Sequence, residues 1–229
     1  MKKVALLLIF LSLCTISFAN SADLISNEQT AKIQKHIDEV GFNLLNSNGI
    51  EKRTTFNFNI KRIKNAGSYY RNREIVIYRD LYNRLSSDDE LAYILGHEIS
   101  HSVDSYDGIL RGYFSAFVQS FSPKKYEYKA DKRAVDYMVQ AGYNPVASIV
   151  VISKTSPQYR YDWYSTHPLA TRRMMEIYEY IYKKYPEYLA NNTYKNNPYY
   201  QNFLLTSKEN RAKFQSKVKS NSKGNVKYL

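Results

Sequence analysis

The stretch that decides the fold is Asp89–Asp104, DELAYILGHEISHSVD. It predicts an amphipathic helix, because its leucines and isoleucines recur at helical spacing and Ser87, followed three residues later by Glu90, is typical of a capping box. His97 and His101 are four residues apart, so both imidazoles would leave the same face of this helix. Two imidazoles in that arrangement can share one metal ion.

Glu98 follows the first histidine and would lie beside the metal that the pair holds. The pattern H-E-x-x-H fixes only three positions, and alone it also occurs on the solvated faces of unrelated helices. Gly96 costs this helix roughly 1 kcal/mol relative to alanine. Its presence indicates that a neighbouring element or a substrate packs closely here.

A second predicted helix offers carboxylates to the same metal. It begins near Lys124 and ends at Gly142. Glu127 and Asp131 are four residues apart on it, so Glu127 can be a third metal ligand while Asp131 accepts a hydrogen bond from a ligand imidazole, for which we favour His97. The same spacing is also typical of an ordinary solvated charge cluster.

The remaining periodicity predicts an α+β fold that is mainly helical and has a small β-sheet. Strands are expected at 56–60 and 74–78, with Asn65–Ser68 as the turn between them. Residues Ile75 to Tyr78 would form an edge strand, to which an extended polypeptide could add by backbone hydrogen bonds. Further helices are expected over 27–46, from Ala147 and from Pro168.

Residues 1–22 have the pattern of an export signal: two lysines, an apolar run and a small-x-small cleavage site before Asn20. Cys14, the only cysteine, lies within that run. Acylation at Cys14 would anchor the protein to lipid, but Leu13 is a poor match to a lipoprotein signal. We therefore expect an exported, periplasmic protein with a removable signal peptide.

The net charge of +12 arises mainly near the C-terminus, because Lys183–Leu229 contains ten lysines or arginines and two acidic residues. Such a stretch can attract nucleic acid or an anionic membrane. We expect instead a basic, partly disordered tail over 186–229, with no nucleic-acid partner and at most peripheral contact with a membrane or envelope complexes. The folded domain would then span 23–185.

Three separate motifs carry a resemblance to a known family. They are Asp89–His101, Glu127–Pro145, and Ser165–Pro168 together with Arg173. In this order they resemble the HtpX and CAAX prenyl endopeptidase family of gluzincin zinc metallopeptidases, over roughly residues 73–177. The resemblance implies a zincin-like metalloprotease domain with one zinc ion per chain, acting on protein or peptide substrates.

The resemblance also implies roles for individual residues. Those implied to bind zinc are His97, His101 and Glu127, with Glu98 as the catalytic base and Asp131 behind a ligand. His167, in the His-Pro motif, would stabilise the oxyanion or gate the metal, with Tyr161 or Tyr164 as alternative donors. Arg173, or else Arg172, would pair with a buried carboxylate.

The chain also departs from its named relatives. We expect it to lack the transmembrane helices of the membrane-embedded members and the helical repeat domain of the large periplasmic ones. It therefore resembles a small, exported, single-domain branch, for which prenylated CAAX substrates are not expected. The expected function is a zinc endopeptidase of the bacterial cell envelope that acts on misfolded or envelope proteins. The alternatives are a zinc-binding, chaperone-like quality-control protein with little or no proteolysis, and a nuclease or nucleic-acid-binding protein that uses the basic tail.

Overall fold

The computed structural model describes residues 25–50, 54–64, 66–69, 73–104, 123–156, 170–221 and 226–228. The predicted export signal (residues 1–22), Cys14, Tyr161, Tyr164 and His167 lie outside these ranges. Within them the chain is mainly helical with a small three-stranded sheet, which confirms the expected α+β class.

Nine helices and three strands are found in the described ranges, numbered here in chain order. The helices are α1 Asn27–Ser47, α2 Arg79–Tyr82, α3 Asp88–Asp104, α4 Pro123–Gln140, α5 Ala147–Thr155, α6 Ala170–Lys184, α7 Pro186–Ala190, α8 Pro198–Thr206 and α9 Lys208–Lys219. The strands are β1 Thr55–Asn59, β2 Ala66–Tyr69 and β3 Glu74–Tyr78. The predicted helices α1, α3, α4 and α5 are found within a few residues of their expected bounds.

The sheet differs from the predicted hairpin. Its strand order is β1-β3-β2, with β1 parallel and β2 antiparallel to β3. Residues Ile75 to Tyr78 therefore belong to the central strand, and the prediction that they form an edge strand is wrong. The predicted turn at Ala66–Ser68 is also wrong, since these residues lie in β2 and pair with β3.

The outer edge of β1 is covered by a side chain of α1. Gln34 Nε2 donates to the Phe56 carbonyl at 2.7 Å, and the Phe58 N–H donates to Gln34 Oε1 at 2.7 Å. The primary amide thus binds the strand as a neighbouring strand would. Gly41 of α1 allows this close approach, because a Cβ at Gly41 would come within 2.6 Å of the Phe56 ring.

Helices α3 and α4 pack closely at the centre of the molecule. A Cβ built at Gly96 would lie 3.4 Å from Ala134 of α4, at the close limit of ordinary van der Waals contact, so the two helices meet directly at this glycine. Ser87 Oγ accepts from the Glu90 N–H at 3.3 Å, whereas the Glu90 carboxylate accepts from the Ser86 N–H rather than from Ser87. The predicted cap is therefore present in modified form.

The C-terminal segment, residues 186–228, is more ordered than the sequence analysis expected. Residues 186–221 contain three helices, and Phe203 and Phe214 are buried against Tyr178 of α6. Tyr194 donates to Asp89 Oδ2 at 2.8 Å, at the start of α3. The expectation of a partly disordered tail is wrong for these residues, because their aromatic rings complete the core.

None of the helices in the described ranges combines the length and hydropathy that crossing a bilayer requires.

Candidate metal centre

Helices α3 and α4 bring two imidazoles and one carboxylate together. His97 Nε2 lies 3.1 Å from His101 Nε2, and Glu127 lies between them, with Oε2 3.5 Å from His97 Nε2 and Oε1 3.3 Å from His101 Nε2. One ligand atom from each residue lies within 4.8 Å of those of the other two. The two histidines are half-buried and the glutamate is buried, so the cluster is sheltered without being sealed.

The spacing of these atoms fits a zinc ion. Tetrahedral zinc lies about 2.0–2.2 Å from nitrogen and oxygen ligands, which separates the ligand atoms from one another by roughly 3.3–3.5 Å. The observed separations of 3.1, 3.3 and 3.5 Å lie close to that range, with His101 measured to Oε1 and His97 to Oε2 of the Glu127 carboxylate. Three protein ligands also leave a tetrahedral position for water or substrate, as catalytic zinc sites require.

Asp131 lies directly behind His97, on the side away from the cluster. Its Oδ1 is 2.9 Å from His97 Nδ1, although this nitrogen is not well aligned for a hydrogen bond. Arg173 of α6 donates to both carboxylate oxygens, from Nε to Oδ2 at 2.8 Å and from Nη2 to Oδ1 at 2.6 Å. Arg173 Nη1 also lies 3.6 Å from Glu127 Oε2, so one guanidinium connects the two acidic side chains of α4.

Tyr93 completes this buried network. Its hydroxyl donates to Asp131 Oδ1 at 2.7 Å and accepts from Arg173 Nη2 at 3.2 Å. The sequence analysis missed Tyr93, although a signal was present: Tyr93, His97 and His101 recur every four residues on one face of α3. The aromatic ring is buried, so the hydroxyl needs the partners that the network provides.

The network changes the protonation of its members. Burial alone would lower the pKa of His97, but the contacts with Asp131 and Glu127 outweigh burial and raise it to about 9. Burial opposes the charge of Asp131, yet Arg173 and His97 hold its pKa well below its usual range. Burial and the Asp131 carboxylate raise the pKa of Tyr93 well above its ordinary value. A metal ion must therefore displace a proton from His97.

The other predicted site residues have separate outcomes. Glu98 is half-buried on α3, one residue beyond His97, and thus about 100° around the helix from it. His167 and its alternatives Tyr161 and Tyr164 lie outside the described residues. Arg173, and not Arg172, makes the bidentate contact with a buried carboxylate.

Comparison with known proteins identifies the family. A model of peptidase family M48 matches residues 27–110 and 106–181, which together make up well over half of the chain. The matched residues include the whole cluster of His97, His101, Glu127, Asp131 and Arg173. No curated protein matches the chain. With its motif helices in place and its ligand atoms spaced for zinc, the chain belongs to peptidase family M48, whose members are zinc-dependent metallopeptidases.

Proposed function

We propose that this protein is an exported zinc endopeptidase of the bacterial cell envelope that hydrolyses peptide bonds in misfolded or envelope proteins. Within family M48 it would belong with the small, single-domain relatives of HtpX. Support for export comes from residues 1–22, whose pattern is that of a cleavable signal. The N-terminal sequence of protein recovered from the periplasm tests this part, because a cleaved signal would leave a chain that begins near Asn20.

The observation that carries the proposal is the arrangement of charge around His97. Its Nε2 faces His101 and Glu127, while its Nδ1 faces Asp131. An imidazole oriented by a carboxylate on one nitrogen and free to bind metal through the other is a recurring feature of zinc enzymes. Arg173 and Tyr93 hold that carboxylate in a buried site, so the ligand geometry is fixed before a metal binds.

Each catalytic role is assigned to a side chain of this protein. His97, His101 and Glu127 would hold the zinc, which when bound supplies Lewis acidity for activating water and polarising the scissile carbonyl. The Glu98 carboxylate would accept the proton of the attacking water and deliver it to the leaving amide nitrogen. His167 would donate a hydrogen bond to the developing oxyanion, a contribution typically worth about 100-fold or more in turnover.

The sheet suggests where an extended substrate would bind. Gln34 occupies the outer edge of β1, and β3 is paired on both sides, so β2 provides the remaining edge among the described strands. Backbone hydrogen bonds to that edge would hold a polypeptide in a sequence-tolerant manner. This tolerance suits a protease that acts on misfolded proteins.

The test is a protease assay on the purified protein, with and without a chelator, beside the variant Glu98→Gln. The variant should bind one zinc per chain, since Glu98 is not assigned as a ligand, and should lose cleavage because it lacks the base. Glu39→Gln provides a matched control, since Glu39 is an exposed glutamate of α1.

Zinc content measured on the same samples separates the outcomes. Full cleavage by Glu98→Gln would refute the assigned base, and wild-type protein that binds no zinc would refute the metal centre. A chain that binds zinc but cleaves nothing, with or without Glu98, would support the chaperone-like alternative instead.

A further inference from the structure

The C-terminal segment presents a charged surface that the metal centre and the core do not use. Lys208, Lys213 and Lys219 of α9, and Lys227 beyond it, are exposed. We call these four lysines the basic surface. Helix α9 as a whole has five cationic residues and a single acidic one, Glu209. All of these residues lie beyond residue 181, where the match to family M48 ends.

Several lysines elsewhere are paired with nearby carboxylates. Lys32 lies 2.8 Å from Glu28, Lys132 lies 2.7 Å from Glu176 and Lys184 lies 2.8 Å from Asp136. Within the described part of the chain, no carboxylate lies within ion-pair distance of the four lysines of the basic surface. Their charge is therefore available to a partner.

The fold places three of these lysines on the exposed half of one helix, with the fourth near that helix. Lys208 and Lys219 are eleven residues apart, about three helical turns, and so project from the same side of α9, roughly opposite the buried Phe214. Lys213 lies about 140° around the helix from Lys208, at the other border of the exposed half of α9. Tyr228 and Lys217 both contact the Glu179 carboxylate, which brings the end of the chain, with Lys227, beside α9. Leu205, which is 77% exposed, lies just before the helix.

The chemistry of the surface indicates the class of partner. Arg211, the one arginine of α9, donates to the Leu204 carbonyl at 2.8 Å and to Ser207 Oγ at 3.1 Å, so its guanidinium is used within the protein. The exposed charges are therefore ammonium groups. Unlike a guanidinium, an ammonium group cannot donate two parallel hydrogen bonds to a nucleobase or to a single phosphate. Point charges beside an exposed leucine suit a diffuse anionic surface with an apolar interior.

We propose that the basic surface docks the protein on membranes that contain anionic phospholipids. Each lysine near such a membrane strengthens binding by roughly fivefold, so the four together contribute on the order of 1000-fold. The attraction acts within a Debye length and is lost when salt screens it. Docking leaves the metal centre unaltered, because none of the four lysines contacts its residues.

The test measures co-flotation of the full chain with vesicles of phosphatidylglycerol and phosphatidylcholine, and with vesicles of phosphatidylcholine alone. One variant changes Lys208, Lys213, Lys219 and Lys227 to glutamine. The control variant changes Lys32, Lys35, Lys61 and Lys64 to glutamine, which removes the same charge from exposed positions outside the C-terminal segment. Both variants retain residues 1–24, so any contribution of that apolar stretch is common to them.

We expect wild type and control to bind the anionic vesicles, and the basic-surface variant to bind on the order of 1000-fold more weakly. Raising the salt to about 1 M, where the Debye length is about 3 Å, should release the wild type. Equal loss in the two variants would overturn the proposal, since net charge alone would then explain binding. A short DNA duplex that binds wild type more tightly than the vesicles do would also overturn it.

Discussion

The substitution Asp131→Asn tests whether the buried network supports the metal centre. The Asp131 carboxylate accepts hydrogen bonds from Tyr93 and from two nitrogens of Arg173, and its side chain is 1% exposed. Asparagine has the same shape but loses the charge, and its NH2 group cannot accept a hydrogen bond from the Arg173 guanidinium. Arg173, 13% exposed, would then have Glu127 at 3.6 Å as its remaining carboxylate among the described residues.

The expected magnitude follows from the burial of this pair. Removing one partner of a buried ion pair costs about 3–5 kcal/mol of unfolding free energy. Losing the carboxylate behind a ligand histidine typically weakens metal binding by about 10–100-fold. Asp136→Asn is the control on the same helix: the Asp136 carboxylate also pairs with a cation, Lys184, and accepts from Tyr180 and Tyr185, but it is 31% exposed, so its loss should cost less than that of the buried Asp131.

Urea denaturation in the presence of a chelator would measure the stability of each variant without metal. Competition with a chromophoric chelator would then measure zinc affinity. The reasoning fails if Asp131→Asn costs no more stability than Asp136→Asn and binds zinc as tightly as wild type. A loss of stability with unchanged zinc affinity would show that the network supports the fold but not the metal centre.

Four further predictions concern other parts of the molecule. Zinc affinity should rise about tenfold per pH unit up to about pH 9, because below the raised pKa of His97 a proton competes with the metal for this imidazole. Titration with a competing chelator measures the slope, and a flat profile would contradict the raised pKa. Tyr93→Phe should cost at least about 1.5–3 kcal/mol in urea denaturation, since it removes the hydrogen bonds of the hydroxyl with Asp131 and Arg173, and no loss would show that the contacts between Arg173 and Asp131 suffice. Gln34→Ala should cost about 1–3 kcal/mol and expose the β1 edge, so size-exclusion chromatography should detect self-association; a stable monomer would refute the edge-covering role. Phe214→Ala should cost about 3–5 kcal/mol, whereas a mobile tail would lose nothing.

The helices of the domain could be predicted because their signals are local. Before α1, for example, the sequence Ser26-x-x-Gln29 is typical of a capping box, and these two residues form a full capping box in the structure. The four-residue spacings of His97 with His101 and of Glu127 with Asp131 fix which side chains share a helix face. Those spacings do not determine that α3 and α4 pack face to face, which depends on Gly96 and Ala134 meeting in the fold.

The sheet and the C-terminal segment could not be predicted in the same way. Strand order depends on which segments meet in space, and Ala66-Gly67-Ser68 has a composition typical of a turn until β3 pairs with it. In α9, abundant lysine obscured the buried face, which consists of Asn210 and Phe214. The many tyrosines also contributed to the wrong prediction of a partly disordered tail, because a tyrosine ring packs as an apolar group while its hydroxyl makes the residue resemble a polar one.

The contacts of the C-terminal segment define how the protein should be produced. A chain shortened to residue 181, where the family match ends, would expose the Tyr178 ring and leave the Glu179 carboxylate without Lys183, Lys217 and Tyr228. It would also remove the contact of Tyr194 with Asp89, which lies in the first turn of α3, eight residues before His97. Expression boundaries for crystallisation or inhibitor screening should therefore extend at least to Tyr228, because trimming to the family limits would yield aggregation-prone material with a weakened active site.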